Sequence, residues 1–251
     1  MQAAPDLGRA LADRFDLPPH FVTEAEDVVP GGWAEQLRAA SSLSSLAERL
    51  DQVLTSGSKS LLVAGRCAAS VATLPVVARH YPDVCVIWFD AHGDCNSPAD
   101  HGYAENAYLG GMVLTGAAGE WDTGFGSGLP LSQVVLVGSR DLDPPEIARI
   151  SAGKIGLIKP GSDFATEITA ACGGRPVYVH LDCDVLTAGL LPTEYQVADG
   201  LDFDDLHNAF TALSHLRVVG LEIAEYEGVW PDGRRGDMGP LLDAIAPVIL
   251  T

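Results

Sequence analysis

Basic residues are scarce in this chain. Its 251 residues hold 15 Lys+Arg against 34 Asp+Glu, a formal net charge of −19. Phosphate binding needs a basic face, so the shortage argues against a nucleic-acid partner. No apolar run approaches the ~18 residues that a membrane span requires, and no membrane partner is expected. Met1 to Asp16 carry no basic leader followed by an apolar block, so no secretory signal is evident. Cysteine is sparse and odd in number, with five residues at 67, 85, 95, 172 and 183. In a chain of this size they read as reduced thiols, not as a disulfide framework, and the expected compartment is the cytoplasm. The carboxylates suit a soluble surface first; a cationic substrate is also compatible with them.

What is present is ordinary globular material, 47% hydrophobic and 20% charged. From residue 60 onward short apolar runs alternate with helical stretches. Strands are predicted at 61–64, 84–89, 134–137, 155–158, 177–181 and 218–221. Several are almost continuously apolar, as strands covered on both faces are. Helices are predicted over 68–80, 108–118, 144–153, 162–172, 202–215 and 238–249, and Gly119 to Gly128 reads as a surface loop. The alternation implies an α/β fold, a mainly parallel sheet with helices on both faces. The first 55 residues are less readable: Leu7 to Phe15 suggests a helix, and Pro18 to Thr23 a short edge strand. No repeat or linker divides the chain, so one domain over 1–251 is expected.

Two acidic clusters follow predicted strands. Asp90-Ala91-His92-Gly93-Asp94 comes directly after 84–89, and Asp182-Cys183-Asp184 directly after 177–181. In extended chain, alternate residues share a side, so Asp90, His92 and Asp94 point together, as do Asp182 and Asp184. Open α/β sheets place their sites at these strand ends. Four carboxylates and an imidazole crowded there would repel unless cations neutralised them. Oxygen-rich donors with a histidine suit Mn²⁺ best, with Zn²⁺ or Fe²⁺ as alternatives. The plainer reading, acids that merely cap loops, fits a lone D-x-D better than two such clusters.

These segments are also recognisable. Asp90-Ala91-His92-Gly93-Asp94-Cys95-Asn96 resembles the D-A-H-x-D-x-N motif of the arginase/agmatinase (ureohydrolase) family, and His180-Leu181-Asp182-Cys183-Asp184 its S-x-D-x-D motif. Gly138-Ser139-Arg140-Asp141-Leu142-Asp143-Pro144 is similar to G-x-R-D-x-D-P, and Leu221-Glu222-Ile223-Ala224-Glu225 to L-D-x-x-E. The resemblance runs from about residue 60 to the C-terminus. It implies a three-layer fold and two Mn²⁺ per chain, bridged by Asp90 and Asp182. Asp94 then belongs to one ion, and His92 and Asp184 to the other. A hydroxide between the ions is the implied nucleophile on a guanidino carbon. Glu225 is implied to hold the guanidinium, Asn96 the α-carboxylate and Asp143 the α-amino group of an amino-acid substrate. The plainer role for Asp143 is an acid at the start of helix 144–153. A homo-oligomer, a trimer or hexamer, is also implied.

The pattern breaks twice. Ala64-Gly65-Arg66-Cys67-Ala68 stands where the family has G-G-D-H-S, which puts Cys67 at a metal-ligand histidine. A thiolate can bind the same metal, but it is softer and must first lose a proton; the alternative is a small buried cysteine beside a weakened site. Tyr108-Leu109-Gly110-Gly111-Met112 stands where the family has its catalytic histidine, so Gly110 replaces the proton shuttle. Asp94, Glu225 and, as a substitute shuttle, His101 are therefore the groups expected to serve catalysis. A solvated loop histidine is the plainer reading of His101.

Both departures resemble the branch that hydrolyses Nω-hydroxy-L-arginine to L-ornithine and hydroxyurea in D-cycloserine biosynthesis. An N-hydroxyguanidine is less basic than a guanidine and depends less on a dedicated shuttle. The remaining readings are an arginase or agmatinase-like enzyme that tolerates Cys67, a one-zinc deacetylase relative, and a non-catalytic relative that binds a metabolite. Of the other residues, His180 is expected either to hydrogen-bond a ligand or to be a satisfied core histidine. Cys95 and Cys183 are expected to pack away from the metals. Arg140 is expected to anchor the acidic loop or to meet a partner subunit. Trp230 and 232–237 read as an exposed loop beside Glu225.

Overall fold

The computed structural model describes residues 3–22, 33, 37, 41–100, 108–161 and 163–251. Six strands form one sheet: β1 (Ser60–Val63), β2 (Cys85–Phe89), β3 (Val134–Val137), β4 (Gly156–Ile158), β5 (Val177–Asp182) and β6 (Val218–Ala224). Their order across the sheet is β1-β6-β5-β2-β3-β4, and every pairing is parallel. All six coincide with predicted runs to within a few residues. The physical cause is plain in β2, β3, β5 and β6, whose residues are all buried because both faces are covered.

The covering helices segregate by face. Against one face lie α1 (Ala4–Phe15), α6 (Phe164–Cys172), α7 (Phe203–Ser214) and α8 (Gly239–Ile249). They pack Leu7, Leu11, Ile168, Phe210 and Ile245 onto Ile87, Phe89, Val179 and Leu181. Against the other lie α2 (Ser41–Thr55), α3 (Ser70–His80) and α4 (Val113–Ala118). They place Leu50, Leu54, Leu74 and Leu114 onto Val86, Trp88, Leu136 and Tyr178. A further helix, α5 (Pro144–Ser151), follows β3. This is the expected three-layer α/β architecture.

The N-terminal region differs from the expectation. Residues 18–22 belong to no strand, and Thr23 lies outside the described residues. Among the described residues no strand precedes Ser60, so α1 and α2 come before the sheet. No described helix is long and apolar enough to cross a membrane.

A parallel sheet sends the C-terminal ends of all its strands to one edge, and the strand order then decides which loops become neighbours. Four adjacent strands, β1-β6-β5-β2, are followed by or end in Cys67, Glu225, Asp182-Cys183-Asp184 and Asp90 to Asp94 respectively. The next strand, β3, leads to Asp143.

Candidate metal centre

At that edge the predicted ligands meet. The Cys67 thiol lies with Asp90 and Asp94 in one group of donor atoms all within 4.8 Å of one another, and Asp90, His92 and Asp184 form a second. Asp90 belongs to both. Asp182 joins through the Cys67 thiol, which donates to its Oδ2 at 3.0 Å. Its other oxygen accepts from the Asp184 amide at 2.7 Å, and Asp184 Oδ1 accepts from the Ala91 amide at 3.1 Å. The His92 ring sets Nδ1 3.2 Å from both Asp90 Oδ1 and Asp184 Oδ2.

Asp94 is buried, and its Oδ2 has no hydrogen-bond partner among the described residues. It sits at φ 47°, and Glu225 at φ 63°, a left-handed backbone that is costly for a glutamate. Gly93 leaves room for the Glu146 carboxylate: a β-carbon there would stand 2.6 Å from Glu146 Cδ.

The electrostatics call for cations. Burial, then Asp90, pushes the Asp94 carboxyl well above its ordinary range; burial, then Asp184, Asp90 and Glu225, does the same to Asp182. Asp184 is raised to about 6 by burial and Asp90, against the hydrogen bond from His92. Burial opposes a charge on His92, yet hydrogen bonds to Asp184 and Asp90 outweigh it and push the imidazole up to about 12. Burial and the surrounding Asp182, Asp94 and Asp90 keep the Cys67 thiol protonated. Without metal the centre therefore holds protons where cations would go. Carboxylates, one imidazole and one thiol, with a buried carboxylate oxygen left over, fit divalent metal ions.

Behind the candidate ligands runs a polar row. Trp88, His180 and Glu222 occupy one register across β2, β5 and β6. The indole stacks on the imidazole at 3.5 Å with 5° between planes, and its Nε1 donates to Asp90 Oδ2 at 3.0 Å. His180 Nε2 lies 3.2 Å from the Cys67 thiol, and Nδ1 3.3 Å from Ser70 Oγ. Glu222 is fully buried yet accepts from Ser70, Thr73 and Tyr178 at 2.6, 2.7 and 2.8 Å. Burial would raise its pKa; His180, Ser70 and Thr73 outweigh that and hold it below the ordinary value. Both readings of His180 thus hold: it is a satisfied core histidine that also touches the Cys67 thiol.

Glu225 stands beside Cys67 and Asp182. Its Oε1 accepts from the Cys67 amide and the Tyr108 hydroxyl, each at 3.0 Å, and its Oε2 from Arg66 Nη1 at 2.6 Å. Neither Arg66 nor Tyr108 was singled out by its sequence. Their partner is over a hundred residues away, although a cation directly before Cys67 was a visible signal. Burial raises the Tyr108 pKa first and Glu225 adds to it, so the phenol is a neutral donor.

Asn96 Nδ2 donates to Asp143 Oδ2 at 2.9 Å, while Asn96 Oδ1 is buried without a partner among the described residues. Asp143 is also the N-cap of α5, in a capping box with Glu146, whose Oε2 accepts from the Asp143 amide at 2.9 Å. The helix-start reading of Asp143 is correct, and the residue still faces Asn96. His101 lies outside the described residues. Cys183 packs into one core and Cys95 into the other, which also holds Cys67, and all five cysteines are free and buried. Arg140 anchors the loop after β5, donating to the carbonyls of Asp184, Val185, Leu186, Val197 and Ala198 as well as Gly138.

A model of the arginase family matches residues 5–230. The chain belongs to the arginase family. Among curated proteins it is 37% identical over 250 residues to the N(omega)-hydroxy-L-arginine amidinohydrolase of Streptomyces lavendulae, covering 98% of this chain and 90% of that one. It is 26% identical over 230 residues to the arginase of Bacillus caldovelox, covering 80% of this chain and 75% of the relative. Among solved structures, the Entamoeba histolytica arginase in complex with L-ornithine superposes with a TM-score of 0.80 at 18% identity, over 99% of this chain and 90% of that one. As an arginase-family hydrolase with a two-lobed donor cluster, the chain is a metal-binding amidinohydrolase acting on a guanidino or amidino C–N bond.

Proposed function

We propose that this hydrolase cleaves Nω-hydroxy-L-arginine to L-ornithine and hydroxyurea with two Mn²⁺ ions. The observation that carries the reading is Cys67: its thiol sits among Asp90, Asp94 and Asp182, at the ligand position that the sequence resemblance assigns to a cysteine in the hydroxyarginine branch. The 37% identity to the Streptomyces lavendulae amidinohydrolase supports the same substrate.

In this reading Cys67, Asp90, Asp94 and Asp182 would hold one ion, and Asp90, Asp182, His92 and Asp184 the other. When bound, the pair supplies Lewis acidity that lowers the pKa of water and orients it. The protein contributes the rest. Trp88 and the Ala91 and Asp184 amides fix the carboxylates before metal arrives. Glu225 receives the guanidino end, and Asn96 and Asp143 the α-carboxylate and α-amino groups. Water oxygen adds to the guanidino carbon, the bond from that carbon to the side-chain nitrogen breaks, and the nitrogen leaves as the ornithine amine with a proton. In place of a histidine at Gly110, His101 is the proposed proton carrier. The chain acts as one domain, in the cytoplasm, as a homo-oligomer; the free thiols support the compartment and the family likeness alone supports the assembly.

The test is product identity. Mn²⁺-loaded protein incubated with Nω-hydroxy-L-arginine in ¹⁸O-water should yield ornithine and hydroxyurea labelled at its carbonyl oxygen. Unconsumed substrate, or unlabelled hydroxyurea, would count against the reading.

A further inference from the structure

We propose that Arg66 is a charge filter, weakening the binding of a fully protonated guanidinium and sparing a less basic N-hydroxyguanidine. The proposal rests on the reading of Glu225 as the group that receives the guanidino end of the substrate.

Glu225 is already occupied. A carboxylate accepts about four hydrogen bonds, and three here are internal: the Cys67 amide and Tyr108 hydroxyl on Oε1, and Arg66 Nη1 on Oε2. The direction left open is on the oxygen that Arg66 holds. A neutral donor can take it. A second guanidinium would lie against the first, and like charges in a half-desolvated site repel strongly.

Displacing Arg66 is no easier. It also meets Glu194 and Glu227, the latter at 3.3 Å. The Glu225 side chain is 5% exposed, whereas those of Glu194 and Glu227 are 50% and 27% exposed. An Arg66 pushed off Glu225 would lose its buried partner and keep only solvent-screened ones, which are worth little. Burial works against the Arg66 charge, but Glu225 outweighs it and holds the guanidinium above its ordinary pKa, so Arg66 stays charged. Its backbone is fixed as well: Arg66 is extended at the start of the short turn Cys67–Ala69, and the next residue is the candidate ligand. Arginine keeps its charge at any working pH; an N-hydroxyguanidine, being less basic, presents a neutral fraction near neutrality.

The test uses Mn²⁺-loaded protein and two amino acids that differ at one end: L-arginine, a cation, and L-citrulline, its neutral urea isostere. Dissociation constants from thermal shifts need no turnover. Wild type should bind citrulline at least as tightly as arginine. Arg66→Gln should tighten arginine by about tenfold or more and leave citrulline within about twofold, and the arginine-to-hydroxyarginine ratio of kcat/KM should rise in parallel. Arg66→Lys, which keeps the charge, should behave as wild type. Arginine binding tenfold tighter than citrulline in wild type would overturn the proposal, as would Arg66→Gln moving both ligands equally or Arg66→Lys matching Arg66→Gln. Should Arg66→Gln fail to fold, the wild-type pair and Arg66→Lys still decide. Absence of hydroxyarginine turnover would remove the proposed function, while the two affinities would still judge the filter.

Discussion

The ring of Tyr108 fills the space that a side chain on residue 110 would enter: a β-carbon on Gly110 would stand 2.8 Å from Tyr108 Cζ and 3.0 Å from its hydroxyl oxygen. Gly110 is the position to which the sequence resemblance assigns the family's catalytic histidine, and the phenol ring occupies the space that a side chain there would need. The same hydroxyl donates to Glu225.

Restoring the histidine should therefore fail on its own. Gly110→His must push the Tyr108 ring aside, and overpacking of this kind costs roughly 1–3 kcal/mol. The Tyr108–Glu225 hydrogen bond should be lost with it. Gly110→His combined with Tyr108→Ala should recover most of the stability. Thermal unfolding and kcat/KM of the three variants check this; a Gly110→His protein as stable as wild type would refute the steric argument.

Cys67→Ala should lower Mn²⁺ affinity by roughly tenfold or more, since ligand loss costs at least as much as loss of a supporting group. A cobalt-substituted wild-type protein should show a thiolate charge-transfer band, and the variant should lack it. Unchanged metal content together with an unchanged spectrum would show that Cys67 is only a packing residue.

The Trp88–His180–Glu222 row should matter for stability even in metal-free protein. Glu222→Leu leaves His180, Ser70, Thr73 and Tyr178 facing an apolar group, and breaking a buried charged network costs about 3–5 kcal/mol. Glu222→Gln, which keeps the shape and some of the hydrogen bonds, should cost less. Urea unfolding measures both; a loss under about 1 kcal/mol for Glu222→Leu would mean that the network is dispensable.

Metal-free protein should lose stability as pH rises. Asp184 is raised from 3.8 to about 6 and Glu146 from 4.5 to about 7 by burial and neighbouring carboxylates, and His92 from 6.5 to about 12 by Asp184 and Asp90 against its burial. A raised folded pKa means that the native state keeps its proton longer than the unfolded chain. The stability it brings is complete below the unfolded value and disappears as pH climbs through the folded one. The Tm of metal-free protein should thus fall from about pH 4 through pH 7 and beyond. Metal binding at Asp184 and His92 displaces their protons, so Mn²⁺ affinity should rise over that range and Mn²⁺ should raise Tm most at the alkaline end. A metal-free Tm that climbs from pH 5 to pH 8 would contradict these signs.

Most of this fold was legible because its strands are buried on both faces and read as unbroken apolar runs. Asp90 to Asp94 and Asp182 to Asp184 were legible because each directly follows or ends such a run, where a parallel sheet collects its ligands. The rest depended on contacts with no local signature. Trp88, His180 and Glu222 align only through strand register. Arg66 meets Glu225 only because β1 and β6 are neighbours, and Tyr108 looks like the ordinary first residue of a predicted helix until its hydroxyl is seen on the same carboxylate. The helix Ser41–Thr55 was missed although Leu43, Leu50 and Leu54 face the core, since its serine-rich start blurs the period.

The most direct test of the account compares initial rates of ornithine release by Mn²⁺-loaded wild-type protein from Nω-hydroxy-L-arginine and from L-arginine. A kcat/KM for the hydroxylated substrate at least about a hundredfold higher, close to 3 kcal/mol of selectivity, is the predicted result. Equal values, or a preference for arginine, would contradict it.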